Sequence, residues 1–238
     1  MQQRNRLFSL LLVEQTKSEN LLLNILPKEI AAILKNEERT IADHFAGASI
    51  LFADMVGFTP MTAAMTPADM LNLLNEVFTH FDSLVDKYSL EKIRTIGDSY
   101  MVASGVPRPR PDHAQALADM ALDMRAYVLT NPVCTDRQLN FRIGINSGPV
   151  VAGVIGRKKF IYDLWGDAVN TASRMESHGT PGHIQITRDT YELIGGEFIC
   201  EPRGKIQVKG KGEMETWYLL GRRLENISAV PVSAPIVG

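Results

Sequence analysis

A chain of 238 residues, 45% hydrophobic and 22% charged, has ordinary globular composition and length for one large domain or a medium domain with an appendage. Twenty-five basic against 27 acidic residues leave a net charge of −2, so no nucleic-acid partner and no polybasic membrane patch is expected. The two cysteines, Cys134 and Cys200, exclude a disulfide framework and a cysteine zinc site. The early apolar run 10–13 falls far short of the ~20 residues of a membrane span, which points to the cytoplasm.

Residues 1–46 read as a helical element. Leu10, Leu11, Leu21, Leu22, Leu23, Ile25 and Leu26 alternate with Glu14, Lys17, Ser18 and Glu19, Pro27 interrupts, and 28–35 resumes a helical pattern. Such a helix needs a partner, either its own core or a second copy in a parallel coiled coil. From Gly47 the pattern becomes mixed. A strand at 49–53 ends on Asp54, and a helix at 66–88 follows with Pro67 in its first turn and apolar residues at Leu73, Leu74, Val77, Phe78, Phe81, Leu84 and Val85. Strands at 92–96 and 99–104 join tightly at Gly97-Asp98, a hairpin signal. After a proline-rich loop come a helix at 113–129 and a strand at 139–146. The order β-α-β-β-α-β predicts an α+β fold with a ferredoxin-like core. A strand at 150–155, a helix at 167–177 and short strands at 184–186, 206–208 and 216–220 extend it over 47–222, leaving 223–238, with Pro231 and Pro235, as a flexible tail.

The first and third strands of such a core lie side by side, which brings the end carrying Asp54 toward the turn carrying Asp98. Two carboxylates meeting there repel each other, and a divalent ion such as Mg²⁺, which favours carboxylates plus phosphates, resolves the conflict. Taken singly, Asp98 reads as a turn residue and Asp54 as a cap.

Five ordered blocks carry a family resemblance. Phe52-Ala53-Asp54-Met55-Val56-Gly57-Phe58-Thr59, Thr95-Ile96-Gly97-Asp98-Ser99-Tyr100-Met101, Phe141-Arg142-Ile143-Gly144-Ile145-Asn146-Ser147-Gly148, Trp165-Gly166-Asp167-Ala168-Val169-Asn170-Thr171-Ala172-Ser173-Arg174-Met175 and Val208-Lys209-Gly210-Lys211-Gly212 resemble the catalytic domain of class III nucleotidyl cyclases. The leader, with Leu21–Pro27 its clearest part, resembles the transducing helix that precedes many such domains. The resemblance implies two Mg²⁺ or Mn²⁺ ions per site, held by Asp54, Asp98 and the Met55 carbonyl. It implies that Asn170 and Arg174, one turn apart on a helix face, orient the ribose and stabilise the transition state, and that Arg142 and Lys209 hold the triphosphate. It further implies a head-to-tail homodimer, with the metal aspartates and Arg142 from one chain and the remaining groups from the other. The stretch 154–161 matches the dimer-contact arm. An upstream sensor or membrane domain is expected in the full-length protein.

Base selection falls on Arg94 and Asp163. The resemblance implies Lys with Asp or Thr for adenine, and Glu with Cys or a similar residue for guanine. The Asp fits adenine, whose N6 amino group donates while N1 accepts, so ATP is the expected substrate and 3′,5′-cyclic AMP the product. Arg in place of Lys leaves GTP open, because a guanidinium also suits guanine O6 and N7. A non-catalytic nucleotide-binding regulatory domain is the other alternative. Lys92, two residues from Arg94, is expected on the same strand face. His113 reads as structural, Trp165 as packing under the helix that carries Asn170, and Arg174 without the resemblance as a surface ion pair with Glu176.

Overall fold

A computed structural model describes residues 2–36, 40–156 and 159–223. Two helices come first, α1 (Gln2–Leu23) and α2 (Lys28–Asn36). There follow β1 (Ala42–Met55), α3 (Phe58–Thr62), α4 (Pro67–Tyr88), β2 (Glu91–Ile96), β3 (Ser99–Ser104), α5 (His113–Thr130), α6 (Pro132–Thr135) and β4 (Phe141–Ile155). The succession β1-α4-β2-β3-α5-β4 is the β-α-β-β-α-β core. β5 (Ile161–Trp165), α7 (Asp167–Ser177), β6 (Ile184–Thr187), α8 (Arg188–Ile194), β7 (Phe198–Val208) and β8 (Gly212–Arg222) extend it. Among the described residues the strands form one sheet in the order β2-β3-β1-β4-β6-β8-β7, with β5 on the far part of β4. The expected tail lies, from residue 224 onward, outside the described residues.

Both sheet faces are covered, and the period-2 alternation of β1 sorts its side chains between them. Leu51 and Ala53 meet Leu73, Val77 and Phe81 of α4 and Leu117, Met120 and Met124 of α5. Ile50 and Phe52 meet Val169 and Ala172 of α7, together with Leu26 just before α2 and Ile30 and Ala31 in its first turn. α4 begins where Thr66 Oγ1 accepts from the Asp69 amide at 3.2 Å, with Pro67 at its first position. The leader divides at Pro27. α2 docks on the core, while residues 11–20 of α1 are exposed throughout.

Three expectations are corrected. The strands at 139–146 and 150–155 are one strand, β4. Pro149 does not break it, because the β1–β4 register shifts between Phe45 and Ala48 just where Pro149 lacks an N–H to donate. α8 was not anticipated, and β1, β7 and β8 run longer than the apolar segments that signalled them. Trp165 does not pack under α7: it ends β5 opposite Val151 and is 40% exposed. His113 is buried, its Nδ1 2.8 Å from Ser49 Oγ, and burial lowers its pKa, as suits a structural role.

Candidate active site

Asp54 is the penultimate residue of β1, opposite Ser99 of β3 on one side and Arg142 of β4 on the other. Asp98 fills the β2–β3 turn immediately before Ser99, after Gly97 at φ +60°, a conformation glycine adopts without strain. The two carboxylates therefore face one another across adjoining strand ends. Burial first, and then the Asp54 charge, raises the Asp98 pKa. Met55, 2% exposed, closes β1.

Arg142 supplies the cation this acidic corner contains. Its Nη2 donates to Asp54 Oδ2 at 2.9 Å and its Nε donates to Glu176 Oε1 at 2.9 Å. Glu176, near the end of α7, was not anticipated as part of the site. Burial raises its pKa, the Arg142 hydrogen bond acts the other way, and the Asp54 charge raises it further. The sequence does carry a signal for it. An acid near a helix C-terminus is unfavourable to the dipole, and two residues from Arg174 it lies on another helix face. It therefore pairs across to β4 and not with Arg174. Gly144 makes the approach possible: a Cβ there would lie 2.0 Å from the Glu176 amide nitrogen.

Arg94 and Asp163 form an ion pair within one chain, between β2 and β5. Asp163 is 7% exposed, and its Oδ1 accepts from the Leu164 amide at 2.8 Å. Arg94 Nε is buried without a hydrogen-bond partner among the described residues. Lys92 lies on the opposite face from Arg94, contrary to expectation. It stands opposite Val102 while Arg94 stands opposite Met101, one residue out of step, and its Nζ pairs with Asp82 Oδ1 at 2.7 Å.

Asn170 is exposed and Arg174 half-buried on α7, and Lys209 is exposed in the β7–β8 turn. None of these three side chains has a hydrogen bond or ion pair among the described residues, and nothing of that kind joins them to Asp54, Asp98 or Arg142. The turn is nonetheless tied to α7, because Lys211 pairs with Asp167 at the start of that helix. Val151, Ile155, Phe160, Ile161 and Trp165 expose apolar surface along the β4–β5 hairpin. Arg157 and Lys158 of the expected contact arm lie outside the described residues.

The family model "Adenylate and Guanylate cyclase catalytic domain" matches residues 41–221. An adenylate cyclase of Mycobacterium tuberculosis is 53% identical over 214 residues, 89% of this chain and 48% of the relative. The human guanylate cyclase soluble subunit beta-2 is 44% identical over 213 residues, 88% of this chain and 34% of that one. The crystal structure of the guanylate cyclase domain from Catenaria anguillulae in complex with GTP superposes with a TM-score of 0.74 at 38% identity, covering 76% of this chain and 100% of that one. The chain thus spans about half the length, or less, of these curated relatives.

Proposed function

This chain belongs to the adenylate and guanylate cyclase catalytic domain family, and we propose that it converts ATP to 3′,5′-cyclic AMP and pyrophosphate. The observation that carries the choice of base is the Arg94–Asp163 pair. A cation and a carboxylate side by side offer a donor and an acceptor, the complement of adenine's N1 and N6 edge. Its 53% identity to an adenylate cyclase supports the same reading.

The residues at the β1 end fit the divalent ions this family uses. Asp54, Asp98 and the Met55 carbonyl are hard oxygen donors, and the burial and then the Asp54 charge that raise the Asp98 pKa are costs a cation relieves. When bound, Mg²⁺ or Mn²⁺ supplies Lewis acidity to the ribose 3′-hydroxyl and charge neutralisation to the departing pyrophosphate. The protein's part is placement. Arg142 and Lys209 hold the triphosphate, and the Arg142 fork keeps Nε on Glu176 and Nη2 on Asp54 while Nη1 serves the phosphates. Asn170 fixes the ribose so that the 3′-oxygen stands in line with the α-phosphorus. Arg174, whose side chain has no hydrogen bond or ion pair among the described residues, offers its donors to the charge that develops there.

Among the described residues no side-chain hydrogen bond or ion pair joins Asn170, Arg174 or Lys209 to the carboxylate corner of their own chain, and the reading includes a head-to-tail homodimer with two shared sites. The exposed apolar hairpin of β4 and β5 supports that assembly. The length of the relatives supports further domains in the full protein, with α1 and α2 as the coupling element. Among the described residues no helix is long and apolar enough to cross a membrane.

Product formation from ATP and from GTP, each with Mg²⁺ and with Mn²⁺, tests the reading. Cyclic AMP as the dominant product is expected. Cyclic GMP as the dominant product would overturn the choice of base. Neither product from a chain shown to be dimeric would favour the regulatory alternative.

A further inference from the structure

We propose that Lys92 is a positioning residue for base selection: by occupying Asp82 it denies Arg94 an alternative partner and so keeps Arg94 turned toward Asp163. The inference rests on the reading of Arg94 and Asp163 as the base-contacting pair.

The argument begins with the pairing of β2. Glu91 and Lys92 stand opposite Ala103 and Val102, but Arg94, Thr95 and Ile96 stand opposite Met101, Tyr100 and Ser99. One extra residue, Ile93, has entered β2, and every side chain after it changes face. Tyr100 and Val102 belong to the core under α4 and α5, whereas Met101 and Ala103 belong to the core under α7. Arg94 therefore reaches Asp163 only because of the bulge. In regular pairing Arg94 would stand opposite Tyr100, on the α4 face.

That face holds a partner for it. Asp82 projects from α4, and Tyr100, fully buried, donates its hydroxyl to Asp82 Oδ1 at 2.5 Å. Lys92 satisfies the same carboxylate at 2.7 Å and lies over the Tyr100 ring, 5.0 Å from its centroid. The upstream end of β2 is anchored separately, by the Leu90 amide donating to Val85 O at 2.9 Å at the end of α4. Loss of the bulge would thus move Arg94 and leave Glu91 and Lys92 in place. With Lys92 present, that move sets two cations on one carboxylate and strips Asp163 of its own. Without Lys92, Asp82 keeps only the Tyr100 hydroxyl and is a carboxylate with no cation beside the position Arg94 would take, and the bulge-free register becomes the better pairing.

The test is the ratio of kcat/KM for ATP to that for GTP in four variants, with a crystal structure of Lys92→Met. Lys92→Met is expected to lower the ratio about tenfold, the scale of one charged hydrogen bond ceasing to hold a group in place. Lys92→Arg keeps the pair with Asp82 and the wild-type ratio. Lys92→Met with Asp82→Asn removes the competing carboxylate and restores selectivity, a rescue that general destabilisation by Lys92→Met would not give. An unchanged ratio in Lys92→Met, or a failed rescue in the double variant, overturns the proposal. Arg94→Met separates it from its premise: an unchanged ratio there overturns the base-contact reading. In that case the β2 register in the Lys92→Met crystals still decides the positioning claim, Arg94 opposite Tyr100 supporting it and Arg94 opposite Met101 overturning it.

Discussion

Asp54, Arg142 and Glu176 satisfy one another inside a single chain, whereas Asn170, Arg174 and Lys209 stand without a side-chain partner among the described residues. The first group is enclosed by strand ends and a helix terminus, where an unpaired charge is costly, so the fold has to complete it. The second is on α7 and in a turn with water to serve its polar groups, so the fold has no need of it. Polar groups that the architecture requires and those we propose only a ligand requires are separated in one molecule, and substitutions should tell them apart.

The largest expected effects are on activity. Asp54→Ala and Asn170→Ala should each lower kcat by about 10³-fold or more, since each removes a whole element of placement. An equimolar mixture of the two inactive chains is expected to recover about a quarter of wild-type activity, because random pairing gives half heterodimers with one intact site each. Silence in a mixture whose heterodimers are demonstrated would sink the shared site. Next comes Glu176→Ala, which leaves Arg142 with Asp54 alone. Chemical denaturation should show a loss of about 2–3 kcal/mol, and the KM for nucleotide should rise as Arg142 settles on Asp54. A change below about 0.5 kcal/mol would mean that the pair contributes nothing to the fold.

Glu91 is an intermediate case, a half-buried acid whose side chain has no hydrogen bond among the described residues. Burial, and then the Glu29 charge, push its carboxyl from 4.5 up to about 7. A carboxyl whose pKa is higher folded than unfolded binds its proton more tightly in the fold. Its contribution to stability is therefore full below about pH 4.5 and lost as pH rises through about 7. Glu91→Gln should flatten that slope and gain about 2–3 kcal/mol over wild type at pH 8. Parallel unfolding curves for the two proteins between pH 4.5 and 8 would refute the prediction. The smallest effect belongs to Lys209→Ala, which should change stability by less than about 0.5 kcal/mol while raising KM. A clear loss of stability there would show that Lys209 serves the fold after all.

What could be read from the sequence follows the range of the interactions involved. Helix α7 was legible over its full length because Gly166-Asp167 and the spacing of its apolar residues are local signals, and the β2–β3 hairpin was legible because Gly97-Asp98 is one. The facing of Asp54 and Asp98 followed from topology once the order of elements was read. The bulge at Ile93 was not legible, because alternation along β2 is a local rule and the register is set by Asp82 on one face and Asp163 on the other. Glu176 escaped for a similar reason, since its partner Arg142 lies 34 residues away. The division of β4 into strands at 139–146 and 150–155 arose because the bulge that accommodates Pro149 belongs to β1.

The bare backbone at Gly144 has a mechanical consequence. At its Met175–Glu176 end α7 is seated directly on the β4 backbone, so there the helix has no intervening side chain over which to slide, and even a methyl group would have to lever it off. Asn170, Arg174 and Glu176 consequently ride with Arg142 as a single block. In the proposed dimer, a signal entering through α2 would therefore act like a hand turning a key, moving the whole domain against its neighbour.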